Sequence, residues 1–179
     1  MKPHRVEYVQ IAGWEVDEVG LWLAENEDWL LLRHIPVDYV VDGYVLVVKE
    51  HIVSRKPRLG RKQVKQVPKL KGIQPEIPSG FVFMELVDMM RWVEQNYGLV
   101  EFTDEEECTC FGWVNEADKV HFWADTLTPK GNVCIRNEGK PPFVISNVQY
   151  IRFDTDYFKS MKLLWQHKSC QKLVKPSDN

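Results

Sequence analysis

Apolar side chains at Val82, Leu86, Met89, Met90, Val93 and Tyr97 recur at spacings of three and four, which predicts a helix across Ser79 to Gly98. Glu85, Asp88, Arg91 and Gln95 fall on its other side. Ser79, after Pro78, is the expected N-cap, and Gly98 the expected left-handed close. On both sides of this helix the period changes to two, the period of strands.

Before the helix, Arg5 to Ile11 reads as a first strand. Trp14 and Val16 alternate with polar neighbours. Val19, Leu21 and Leu23 resume the alternation after a register shift near Asp17, which predicts a bulge or tight bend. Glu25 to Asp28 is a turn. Trp29 to Ile35 is apolar almost throughout, so both of its faces are expected to be covered. Asp42-Gly43 sits between Tyr39-Val40-Val41 and Tyr44 to Val48, which signals a hairpin; His51-Ile52-Val53 would extend it or form one further short strand. Ser54 to Lys71 contains Gly60, Pro57 and Pro68 and reads as a loop or extended linker.

After the helix, Leu99 to Phe102, Cys108 to Val114, Val120 to Ala124 and Val133 to Ile135 read as strands, with turns at 115–118 and 128–132. Phe143 to Phe153 reads as a strand pair or one bent strand. Asp154 or Thr155 would cap a last helix from Asp156 to about His167. Gly13-Trp14-Glu15-Val16 is echoed by Gly112-Trp113-Val114-Asn115, each followed by an acidic turn and a Trp-bearing strand. The expected fold is therefore α+β and mainly β. Two small SH3-like or Sm-like barrel units, 1–76 (with the basic linker 54–71) and 99–179, would be joined by a central helix at 77–98, and a helix would end the chain.

The stretch from Val6 to Ser54 resembles an Sm-like module of the kind that includes bacterial Hfq. The resemblance rests on Gly13 as the glycine of a bending second strand, Asp28-Trp29-Leu30-Leu31 as an acidic turn before a Leu-rich strand, and a closing Lys-Glu-His-Ile-Val-Ser. It implies a small barrel, and RNA contact from Lys49 and His51, which here flank Glu50.

Net charge over the 179 residues is −3, but its distribution is uneven. Residues 49–71 carry nine Lys or Arg against one acid, Glu50, so the segment holds +8 and the remainder of the chain −11. Lys49, His51, Arg55, Arg58, Arg61, Lys62 and Lys65 are the candidates for phosphate contact, with a solvated linker as the plainer reading. No apolar run approaches the ~20 residues a membrane helix needs, and the N-terminus lacks the apolar core of a secretory signal. The expected compartment is the cytoplasm, with Cys108, Cys110, Cys134 and Cys170 reduced.

No nucleophile motif, phosphate loop or calcium loop is present. Cys108, Cys110 and Cys134 with His121 offer zinc ligands but lack the usual knuckle spacing, so neither a metal nor a cofactor is expected. His121, Trp123 and Asp125 share one strand face. They read as a base, a stacking ring and an orienting acid, or as a solvated face over a core of Val120, Phe122 and Ala124. With no catalytic set, the expectation is a non-catalytic binding or regulatory protein acting on a protein partner. A basic partner, such as the toxin of an immunity pair, would suit the acidic body. Single-stranded RNA or DNA binding is the alternative. Open edge strands would also allow pairing between chains into a dimer or ring.

Overall fold

The computed structural model describes residues 5–56, 62–103, 109–135 and 141–174. Its strands are β1 Val6–Ile11, β2 Glu18–Glu25, β3 Trp29–His34, β4 Tyr44–Val48, β5 Ile52–Arg55, β6 Val100–Thr103, β7 Thr109–Ala117, β8 His121–Leu127, β9 Val133–Cys134, β10 Phe143–Val144 and β11 Tyr150–Phe153. Its α-helices are α1 Lys62–Leu70, α2 Leu86–Tyr97 and α3 Asp156–Val174. Single 3-10 turns at Lys49–His51 and Ile145–Asn147 precede β5 and β11.

The architecture corrects the expected pair of barrels joined by a central helix. The strands form one continuous antiparallel sheet in the order β10-β8-β7-β6-β11-β4-β3-β2-β1-β5, with β9 on the edge of β8. The pairing of β4 with β11 is what makes it continuous. Tyr44-Val45-Leu46-Val47-Val48 is apolar on both faces, and such a strand needs hydrogen-bonded neighbours on both edges. β3 supplies one and β11 the other. Two cores then share the same strands. Val45, Val47 and Tyr150 pack with Val9, Ile11, Leu30 and Leu32 on one face. Leu46, Ile151 and Phe153 pack with Leu31 and α2 on the other. Within the sheet one strand order recurs, as β5-β1-β2-β3-β4 and as β11-β6-β7-β8-β10, each with its 3-10 turn before the last strand.

α2 lies on a sheet face rather than between two bodies. Leu86, Met89, Met90 and Val93 are buried against the sheet, as their spacing requires. The helix begins later than its pattern suggests. Gly80 has φ 73°, the chain from 81 to 85 is not helical, and Val82 is 64% exposed, so Glu85 rather than Ser79 stands at the N-cap. Gly98 closes the helix at φ 93°.

Two other local signals resolve differently. Asp42-Gly43 is not a hairpin turn: Asp42 N–H donates to His34 O at 2.9 Å and Gly43 O accepts from His34 N–H at 3.1 Å, so the pair continues β4 along β3, and Val37 and Val40 form an isolated bridge in the loop between them. The Asp42 carboxylate instead accepts the Asp156 backbone N–H at 2.9 Å, at the start of α3. The segment read as a linker contains the end of β5 and the whole of α1. Val64 of α1 is buried with Leu21 and Ile35, and burial outweighs the bond that Pro68 forfeits inside the helix.

Glu94 gives the first prediction. Its carboxylate accepts the Val114 backbone N–H at 2.7 Å, tying α2 to β7. Burial pushes its pKa up to about 6 against that hydrogen bond. A carboxyl with a raised folded-state pKa contributes full stability below its unfolded value of 4.5, and that contribution is lost as pH rises through about 6. Glu94→Gln keeps the acceptor without the charge. It should gain about 1 kcal/mol at pH 7.5, after allowance for solvent screening, and close to nothing at pH 4.5. Urea unfolding at the two pH values measures both.

Candidate functional site

Two turns shape one open cleft. Between β2 and β3, Asn26 Oδ1 accepts the backbone N–H groups of Asp28 (3.1 Å) and Trp29 (2.7 Å). This holds Glu27 and Asp28 outward while Trp29 turns in. Between β7 and β8, Asp118 Oδ1 accepts those of Val120 and His121, both at 2.7 Å. These backbone donors hold the Asp118 carboxyl below its ordinary range. The two turns occupy corresponding places in the recurring strand order.

The two 3-10 turns meet beside them. The His51 Nε2 lies 3.0 Å from the Ser146 carbonyl oxygen, and Ile145 N–H donates to Val120 O at 2.8 Å. Trp29 Nε1 donates to Met84 O at 3.1 Å, which fixes the chain entering α2 as the third wall. Nearby, Gln149 accepts from Trp14 Nε1 at 2.6 Å and donates to Ala12 O at 2.9 Å, locking the junction.

The result is an open cleft of about 730 Å³, within the range of ~300–1,000 Å³ usual for ligand sites. Trp29, Val48, Met84, Leu86, Ile145 and Val148 give it an apolar floor. Val120 stands at its edge, 53% exposed. Glu27, Asp28, Glu50 and Glu85 rim it, against Lys49 and Lys119. Lys49 is already engaged: its Nζ donates to Asn26 O at 2.7 Å and lies 3.7 Å from Glu25. The rim is therefore acidic.

Among the described residues, the basic side chains singled out in the sequence are not gathered into one surface. Lys49 faces Glu25 as above, and His51 is buried under Ser146. Arg55 is held between Glu7 (3.0 Å) and Glu25 (2.5 Å), and its hydrogen bond draws the Glu25 carboxyl below its ordinary range. Lys62 and Lys65 are exposed on α1, while Arg58 and Arg61 lie outside the described residues. His121, Trp123 and Asp125 alternate along β8 with buried Phe122 and Ala124. The His121 ring is 3.5 Å from Asp118 and its centroid 6.4 Å from that of Trp123.

The sequence pattern does not mark the cleft residues. The acids at 27, 28 and 50 read as turn and linker charge, and only the β4–β11 pairing brings them beside Val120 and Ile145. A second polar centre also went unmarked. Arg152 of β11 reaches both Glu18 of β2 and Glu101 of β6, with His34 Nε2 3.3 Å from Glu18. Its signal is charge inside apolar strands, as in Leu-Val-Glu-Phe and Tyr-Ile-Arg-Phe. Among the described residues, no helix is long and apolar enough to cross a membrane. No family model, no curated protein and no solved structure matches the chain.

Proposed function

We propose that the protein is a non-catalytic binding protein that receives a basic and apolar segment of a protein partner in this cleft. The observation that supports it is the combination of an apolar floor with a rim of four acids against two lysines, one of them engaged. Apolar burial supplies affinity, and the acidic rim selects and steers a cationic partner. The acidic balance of the chain outside residues 49–71 acts in the same direction.

The test is a displayed library of random peptides selected on the intact protein. Enriched sequences should combine Lys or Arg with large apolar residues. Glu50→Lys with Glu85→Lys should weaken them at least about tenfold, mostly through the association rate. Val120→Asp, at an exposed position, should weaken them similarly. Peptides without basic residues, or indifference to these variants, would overturn the reading. So would tight, steeply salt-dependent binding of single-stranded RNA that is lost on Arg58→Ala, Arg61→Ala and Lys62→Ala, which is the expected behaviour of the alternative.

A further inference from the structure

A second pocket, of about 320 Å³, opens between β6, β7, β11 and the first turns of α3. Phe111, Leu127, Tyr157 and Met161 form its walls, and Glu101 and Arg152 lie at its base. Arg152 pairs with Glu18 as well as Glu101, so two carboxylates share one guanidinium. His34 stands on the Glu18 side, away from this pocket's lining. Glu101 Oε1 takes a 3.3 Å bond from Arg152, while Oε2 takes none, although the side chain is only 4% exposed. One carboxylate oxygen without a hydrogen bond thus belongs to the lining of a largely apolar pocket, beside a guanidinium that a second carboxylate already shares.

We propose that this pocket binds a small organic ammonium ion, a primary amine carrying a compact apolar or aryl body. The ammonium adds a second cation beside the two carboxylates and donates to Glu101 Oε2, a charge-assisted bond. The Phe111 and Tyr157 rings, with centroids 5.4 Å apart and planes at 65°, line the same pocket and supply aromatic surface for the ligand's body. Tyr157 is 57% exposed, which leaves a way in and apolar surface to cover on binding. Burial raises the Glu101 pKa against the opposing charge of Arg152, and a bound ammonium would oppose that rise in the same way as Arg152 does.

Phenethylammonium and its neutral isostere phenethyl alcohol, titrated into the full chain and followed by NMR, form the test. The amine should saturate with a Kd of about 1 mM or tighter, shifting the Met161 methyl, and the alcohol should bind at least about tenfold more weakly. Glu101→Gln, shown to be folded by its thermal transition, should bind amine and alcohol alike. Equal binding of the two by the unaltered protein would overturn the proposal. No saturable binding of the amine, or full retention in Glu101→Gln, would also overturn it.

Discussion

Arg152→Met is expected to lower the unfolding free energy at pH 7 by about 3–5 kcal/mol, one of the two largest single effects expected in this chain. The substitution roughly keeps the aliphatic volume and removes the charge. Glu18 and Glu101, with side chains 10% and 4% exposed, are then left without their shared cation. In the intact protein burial pushes the Glu18 pKa up, but the His34 ring 3.3 Å away and the Arg152 guanidinium outweigh it, so the folded pKa is depressed. A depressed folded pKa contributes stability above the unfolded value of 4.5 that is lost as pH falls through the folded one. Without Arg152, most of that contribution disappears and both carboxylates favour the proton. The variant's deficit should therefore be largest at neutral pH and shrink toward pH 4. Adding Glu18→Gln and Glu101→Gln should restore most of the loss, because the cost lies in uncompensated charge rather than in a missing bond. Urea unfolding of the single and triple variants measures this. A deficit under about 1 kcal/mol would mean that water reaches the cluster.

The cluster also shows where reading from the sequence stops. Glu18 and Arg152 are separated by 134 positions, and they meet only because β11 inserts between β4 and β6. Local patterns do not encode that insertion. They did encode the faces: Leu86, Met89, Met90 and Val93 are buried, and Phe122 and Ala124 are buried between His121, Trp123 and Asp125. Both faces of Trp29–His34 are covered, as its nearly unbroken apolar run required. Where a local signal misled, a distant contact had overridden it. Asp42-Gly43 has hairpin chemistry, yet the Asp42 carboxylate is used at the start of α3. Of the cleft acids, Glu27 and Asp28 were legible as a turn, Glu85 as the polar side of the helix and Glu50 as the lone acid of the basic segment, and none as a site, since the rim forms only where these distant pieces are brought together.

Gly112→Ala is expected to cost about 3 kcal/mol or more, and Gly20→Ala somewhat less. Neither glycine is needed for backbone freedom; what matters is the space beside it. A Cβ on Gly112 would stand 1.9 Å from the Asp125 carbonyl oxygen across the β7–β8 pair. One on Gly20 would stand 2.6 Å from Leu32 Cβ and 2.7 Å from the Arg33 carbonyl oxygen across β2–β3. Each glycine lies two residues before a register shift, at Trp22/Ala24 and at Val114/Glu116, where the bulged strand bends toward its neighbour. These are the glycines of the two bending strands; Gly13, which the sequence suggested for that role, lies in the turn after β1 at φ 83°. Its replacement by Ala carries the left-handed penalty of about 1–2 kcal/mol. Urea unfolding should thus rank the variants Gly112→Ala, Gly20→Ala, Gly13→Ala from most to least damaging. An inverted order would mean that the strands part cheaply at the bulges. The close approach of β7 to β8 would then be a consequence of packing elsewhere rather than a constraint on the bend.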